Sequence, residues 1–180
     1  TAGGLGLVAT WKGFNELYAL GWVDQLPRML AAQAAACAPI VEAYRNGASD
    51  VQPVSAKETI AESIRVGYPK SLGWRAIRDI RESRGSAVAL EEAEISEAQA
   101  LLARHAGVYA EPAGAISLAA AVRLRQEGLI GRNDLTVCMI TGHGLKQPEI
   151  QGHDTSLPSP IEPDLESLRR RLDQEHADVR

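Results

Sequence analysis

Two stretches of this chain hold residues of the types, and at the spacing, that chemistry needs. Thr141-Gly142-His143-Gly144-Leu145-Lys146 sets a hydroxyl and an imidazole among flexible glycines, directly after the apolar run Leu135–Ile140 (LTVCMI). That run is too short for an ordinary helix and predicts a buried parallel strand whose C-terminal exit carries Thr141, the place where open α/β sheets keep their ligands. At the other end, Ala2-Gly3-Gly4-Leu5-Gly6 precedes Leu7–Leu20, where Leu7, Trp11, Phe14, Leu17 and Tyr18 recur at helical spacing. A glycine loop leading into a helix N-terminus presents unpaired N–H groups and the positive end of the dipole, so it can hold an anion without any basic side chain. Each stretch also has a plain structural reading, as a glycine turn beside a regular element. His143 reads as a residue that meets substrate or as a turn residue bonding backbone.

The composition narrows the chemistry. A length of 180 residues with 45% apolar side chains fits one domain. The net charge of -4 comes with no dominant basic block, which argues against nucleic acid and anionic membranes as partners and for a small-molecule substrate. Cys37 and Cys138 sit in apolar surroundings and read as packing residues, with no disulfide framework or metal set. No apolar run approaches the ~20 residues of a membrane span and no signal-peptide pattern is present, so a soluble cytoplasmic protein is expected. The chain opens at Thr1 inside a glycine cluster that would ordinarily follow a strand, and so reads as a piece of something longer.

The intervening elements must bring the two stretches together. Strands are predicted over Arg28–Gln33, Ser86–Leu90 and Val108–Ala110 besides Leu135–Ile140. Helices are predicted from Cys37-Ala38-Pro39 to Tyr44, from Ser55 to Val66 with Ser55 and Glu58 as a capping box, from Ser71 to Ser83, from Glu91 to His105 and from Ala113 to Glu127. Strands and helices alternating in this way give an open parallel twisted sheet with helices on both faces, over residues 1–149. Residues 150–163 read as an extended, proline-rich linker, and 164–180 as a charged helix and tail with Leu165, Leu168 and Leu172 as a thin apolar stripe.

The order of the glycine loop, LPRMLAAQAAACAPIV, IRVGYP, AEPAGA and TGHGLK resembles the C-terminal part of threonine synthase, a pyridoxal-phosphate enzyme of fold type II. TGHGLK is the most specific of these motifs, while EPAGA is shared with threonine and serine dehydratases. The resemblance implies that Gly3, Gly4, Leu5 and Gly6 wrap the cofactor phosphate, and that Thr141 lies beside the pyridine nitrogen. It also implies that Glu111 opens the segment lining the pocket, with His143 a candidate for substrate contact. A neutral hydroxyl at the ring nitrogen leaves it largely unprotonated and moderates the electron sink. The same resemblance places the Schiff-base lysine upstream of Thr1 and assigns that role to none of Lys12, Lys57, Lys70 and Lys146, so that no catalytic residue is assigned within the chain and the chain alone is expected to be inactive. The implied reaction converts O-phosphohomoserine and water to threonine and phosphate, in a homodimer. Where the family has Gly-Asn-Ala-Gly-Asn this chain has Ala2-Gly3-Gly4-Leu5-Gly6, and where it has Gly-Asn-Pro this chain has Gly67-Tyr68-Pro69. Those departures keep open a dehydratase, a β-replacement enzyme resembling cysteate synthase, and a non-catalytic fragment.

Overall fold

The computed structural model describes residues 1–147 and 160–178. Its centre is a parallel pair, β1 (Leu30–Ala34) and β2 (Ser86–Leu90), registered from Leu30 opposite Ser86 to Ala34 opposite Leu90. Successive side chains on a strand point to opposite faces, and small apolar residues on both faces let helices cover both. Ala31 and Ala87 face a layer made by α1 (Leu5–Ala19), α2 (Pro39–Arg45) and α3 (Ser71–Glu82), whose Leu7, Ile40, Val41, Ala76, Ile77 and Ile80 complete that core. Ala32, Ala34, Val88 and Leu90 face the other layer, α4 (Glu92–Leu101) and α5 (Pro112–Gln126), with Ile95, Ala98, Ile116 and Leu124. The α/β class with helices on both faces of a parallel sheet is therefore the observed one.

Several expected elements take another form, each because its backbone groups are spent elsewhere. Segment 55–66 forms no α-helix, only a 3-10 turn at Glu62–Ile64. Lys57 N–H donates to Ala36 O, Ile60 N–H to Glu92 Oε2 at 2.8 Å, and Ala61 N–H to Thr59 Oγ1, so the donors that a helix needs are taken by tertiary and local partners. Instead of a strand, 108–110 makes a single antiparallel bridge from Ala110 to His143, carried by Gly144 N–H to Tyr109 O and Glu111 N–H to Gly142 O, while Gln99 Nε2 takes the Ala110 carbonyl at 2.8 Å and keeps it from a ladder. Beyond Leu101 the fourth helix widens into a π-turn, Leu102–Ala106, and stops at Gly107 in the left-handed region.

Leu135–Ile140 is the larger correction. It forms no strand and pairs with none among the described residues, and Leu135, Val137 and Met139 are 94%, 77% and 63% exposed. Alternation survives, since Ile140 packs on the α4–α5 core and Cys138 Sγ approaches Ser117 O at 3.6 Å. A β-branched run becomes a strand only where a neighbour offers a ladder. The first helix, for its part, begins two residues earlier than its apolar spacing indicated, so Leu5 and Gly6 belong to its first turn.

The chain divides into two compact units, Thr1–Pro148 and Glu149–Arg180. Within the second, the expected linker lies outside the described residues up to residue 159, and α6 (Leu165–Asp178) follows. Asp164 opens that helix by accepting from the Ser167 amide at 2.8 Å and the Ser167 hydroxyl at 2.9 Å, which holds its carboxyl below the usual range. Leu165, Leu168 and Leu172 are exposed along it. No helix among the described residues is long and apolar enough to cross a membrane.

Leu90 is fully buried at the end of β2 in the α4–α5 core. Leu90→Ala is expected to cost about 2–5 kcal/mol by loss of burial and cavity formation, read by urea unfolding; a loss well under 1 kcal/mol would mean that this core is not close-packed.

Candidate functional site

The glycine loop is built by close packing. Gly4 is the N-cap of α1 with φ +96°, and a methyl group there would lie 2.9 Å from Ala76 Cβ and 3.2 Å from Leu72 O. Only glycine satisfies both the left-handed backbone and that approach to α3. Gly3 rests on Pro69 and Val66, where a methyl group would find ordinary contacts at 3.7 and 3.9 Å. Gly6 faces open space: nothing lies within 4 Å of where its Cβ would be. The helix that follows has no side-chain cap and no acidic residue in its first turn. Its leading N–H groups have no intrahelical acceptor, and the dipole there is not offset by a carboxylate. This is the geometry that receives a dianionic group on backbone alone, and the cofactor phosphate fits it.

The second cluster lies at the start of α5. Glu111, 5% exposed, donates its N–H to Gly142 O at 2.9 Å and accepts the Ser63 hydroxyl at 3.3 Å. Contact is so close that a Cβ on Gly142 would fall 2.0 Å from Glu111 Oε1, and one on Gly114 would meet Thr141 N at 3.3 Å. Thr141 itself is exposed at this edge. His143 stacks edge-on against Tyr109, with centroids 5.4 Å apart at 81°, and its Nδ1 accepts the Leu145 N–H at 3.1 Å. The turn-residue reading of His143 is thus the one the hydrogen bonding satisfies, and an accepting Nδ1 leaves Nε2 as the ring nitrogen that carries the proton.

Glu111, Thr141, Gly142 and His143 are brought together by these contacts, whereas Gly3–Gly6 form a separate group against α2 and α3. Segment 63–66 reaches both, with Ser63 on Glu111 and Val66 against Gly3. Ser63 was hidden in the sequence by the helix expected over 55–66. Gln33 was also missed, although a lone amide inside the apolar run LAAQAAA is a visible signal. Fully buried on β1, it bonds the backbone of Ala2, Ile40 and Val41. Among the lysines, Lys12 pairs with Glu16 on the exposed side of α1, and Lys70 precedes α3 with φ +50°. Burial pushes the Cys37 and Cys138 thiols up, which suits packing rather than nucleophilic roles.

A family model described as pyridoxal-phosphate dependent enzyme matches residues 1–142. The chain belongs to that family. It is 44% identical to threonine synthase from Methanocaldococcus jannaschii, over 91% of this chain and 40% of the relative, and 40% identical to threonine synthase from Mycobacterium bovis, over 92% of this chain and 44% of the relative. The chain thus spans about two fifths of the length of the curated relatives it matches. Among solved structures, maize serine racemase superposes with a TM-score of 0.63 at 19% identity, covering 98% of this chain and 46% of that one. Threonine synthase from Escherichia coli does so with a TM-score of 0.58 at 17% identity, covering 97% of this chain and 42% of that one. At such identities the structural likeness is one of fold, and that fold is type II. Pyridoxal phosphate is the cofactor of this family.

The contact between Glu111 and Gly142 can be tested alone. Gly142→Ala is expected to cost about 1–3 kcal/mol by overpacking. Adding Glu111→Ala should return most of that loss, because the overlap is with that side chain, and a double-mutant cycle by urea unfolding reads the coupling. Strict additivity would show that the two residues do not touch.

Proposed function

We propose that this chain is the cofactor-holding C-terminal segment of a threonine synthase-like lyase, acting on O-phosphohomoserine and water to give threonine and phosphate. Identity of about two fifths to threonine synthases across more than nine tenths of the chain supports the substrate class. The observation that carries the cofactor role is the first turn of α1, free of side-chain caps and acids. In this reading the backbone of Gly3, Gly4, Leu5 and Gly6 holds the phosphate, and the Thr141 hydroxyl meets the ring nitrogen as a neutral partner. Glu111, fixed by Ser63 and Gly142, lines the pocket edge, and His143 offers Nε2 toward substrate while Nδ1 stays bound to Leu145. Bound pyridoxal phosphate supplies an electron sink for charge developing at the substrate α-carbon. The lysine that anchors it is assigned to the portion of the protein preceding Thr1, and the complete protein is assigned as a cytoplasmic homodimer.

Activity of the full-length protein separates the possibilities: phosphate and threonine released from O-phosphohomoserine support the reading, whereas turnover of threonine or serine to a keto acid alone would replace it with a dehydratase. Two substitutions test the site. Gly6→Asp adds a carboxylate where space is open, so α1 should gain roughly 0.5–1 kcal/mol from a better helix former and a favourable dipole contact. The same charge should weaken cofactor binding about tenfold or more by repelling the phosphate. Unaltered affinity for pyridoxal phosphate, measured by equilibrium titration, would remove the phosphate from this helix. Thr141→Val, at an exposed position, should leave stability within about 0.5 kcal/mol while shifting the absorption band of bound cofactor. An unshifted band would remove Thr141 from the ring.

A further inference from the structure

We propose that Gln33 is the positioning residue of the cofactor-phosphate loop: its buried amide ties the backbone leading into that loop to β1 and to the first turn of α2. The inference rests on the reading of the α1 N-terminus as the phosphate site.

Gln33 is fully buried in the middle of an alanine-rich strand, where an amide without partners would be costly. Every bond it makes is to main chain. Oε1 accepts the Ile40 N–H at 2.9 Å and the Val41 N–H at 3.2 Å, two donors of the first turn of α2 that have no intrahelical acceptor and, with Ala38 as N-cap, no capping side chain. Nε2 donates to Ala2 O at 3.2 Å, and beside it the Thr1 backbone nitrogen donates to Ala32 O. Chain entering the glycine loop is therefore stitched to β1 by one backbone and one side-chain bond.

The far side of the loop closes on the same residue. Gly4 stands against Ile40, whose Cδ1 would lie 3.5 Å from a Cβ at that position, and Ile40 is the residue whose N–H Gln33 holds. One side chain thus sets where Ala2 enters the loop and where α2 supports Gly4. The donors offered to a phosphate depend on backbone placement alone in this loop, since it contains no polar side chain between Ala2 and Leu7. A positioning error there has no side chain to absorb it.

The test uses the full-length protein with bound pyridoxal phosphate. Gln33→Met keeps the volume but removes both the acceptor for Ile40 and Val41 and the donor facing Ala2 O, and Gln33→Asn is too short to reach both partners; Gln33→Glu, whose buried carboxyl is held neutral, again offers an acceptor and an O–H donor. Gln33→Met and Gln33→Asn are expected to raise the dissociation constant for pyridoxal phosphate about tenfold or more. The ³¹P resonance of bound cofactor should move toward its free position, with the circular dichroism spectrum of the fold unchanged, and Gln33→Glu should return both readouts toward wild type. A ³¹P resonance and dissociation constant within twofold of wild type in whichever of Gln33→Met and Gln33→Asn folds would overturn the proposal, leaving Gln33 a core residue only. Gly6→Asp run in parallel separates the two failures. If Gly6→Asp weakens binding and Gln33→Met does not, the loop binds phosphate without help from Gln33. If neither does, the phosphate lies elsewhere.

Discussion

The close approach of Gly4 to α3 is the constraint from which the rest of the site follows. A residue in the left-handed region, with Ala76 and Leu72 too near for any Cβ, turns the chain so that α1 starts where it does. Because that turn is made by backbone alone, no Ser, Asp or Thr is available to cap the helix, and its leading donors are left without a side-chain acceptor. Stability is given up locally, since a good N-cap is worth about 1 kcal/mol. The neighbouring helix shows the contrast. Donors at the start of α2 are closed off by Gln33 from inside the core, whereas those at the start of α1 are not closed off by any side chain.

The sheet supplies the frame. Two parallel strands with small residues on both faces allow helices to sit close on each side, and the odd face of β1 brings Gln33 under the glycine loop while the even face carries the α4–α5 core. On that second side, Glu111 stands between Ser63 and Gly142, so the exit segment is held to α5 by hydrogen bonding and by contact that leaves no room for a side chain. Segment 63–66 then connects the two groups.

Much of this was legible in the sequence, for physical reasons specific to each element. Ser86–Leu90 is a strand over the residues its alternation indicated, and α1, α2, α3 and α5 lie within a few residues of their apolar periodicity and of the glycine and proline signals at their ends. The motifs TGHGLK and EPAGA led to the right family. What local pattern could not reveal was competition for backbone groups. The Ser55–Glu58 capping signal is outweighed by Glu92 reaching across to Ile60, and the Val108–Ala110 run by Gln99 taking the Ala110 carbonyl. Leu135–Ile140 has the composition of a strand and even its alternation, but ladder formation depends on a neighbour, which no propensity encodes. Gln33 and Ser63 act through contacts between residues far apart in the chain, so their roles appear only once the fold is known.

A crystal structure of the full-length protein with pyridoxal phosphate bound tests the central claim most directly. The expected result is a phosphate whose oxygens lie about 2.7–3.2 Å from backbone nitrogens of the Gly3–Gly6 turn, with the Thr141 hydroxyl at the ring nitrogen. A phosphate bound away from the start of α1, or a Thr141 hydroxyl beyond hydrogen-bond reach of the ring nitrogen, would contradict the account.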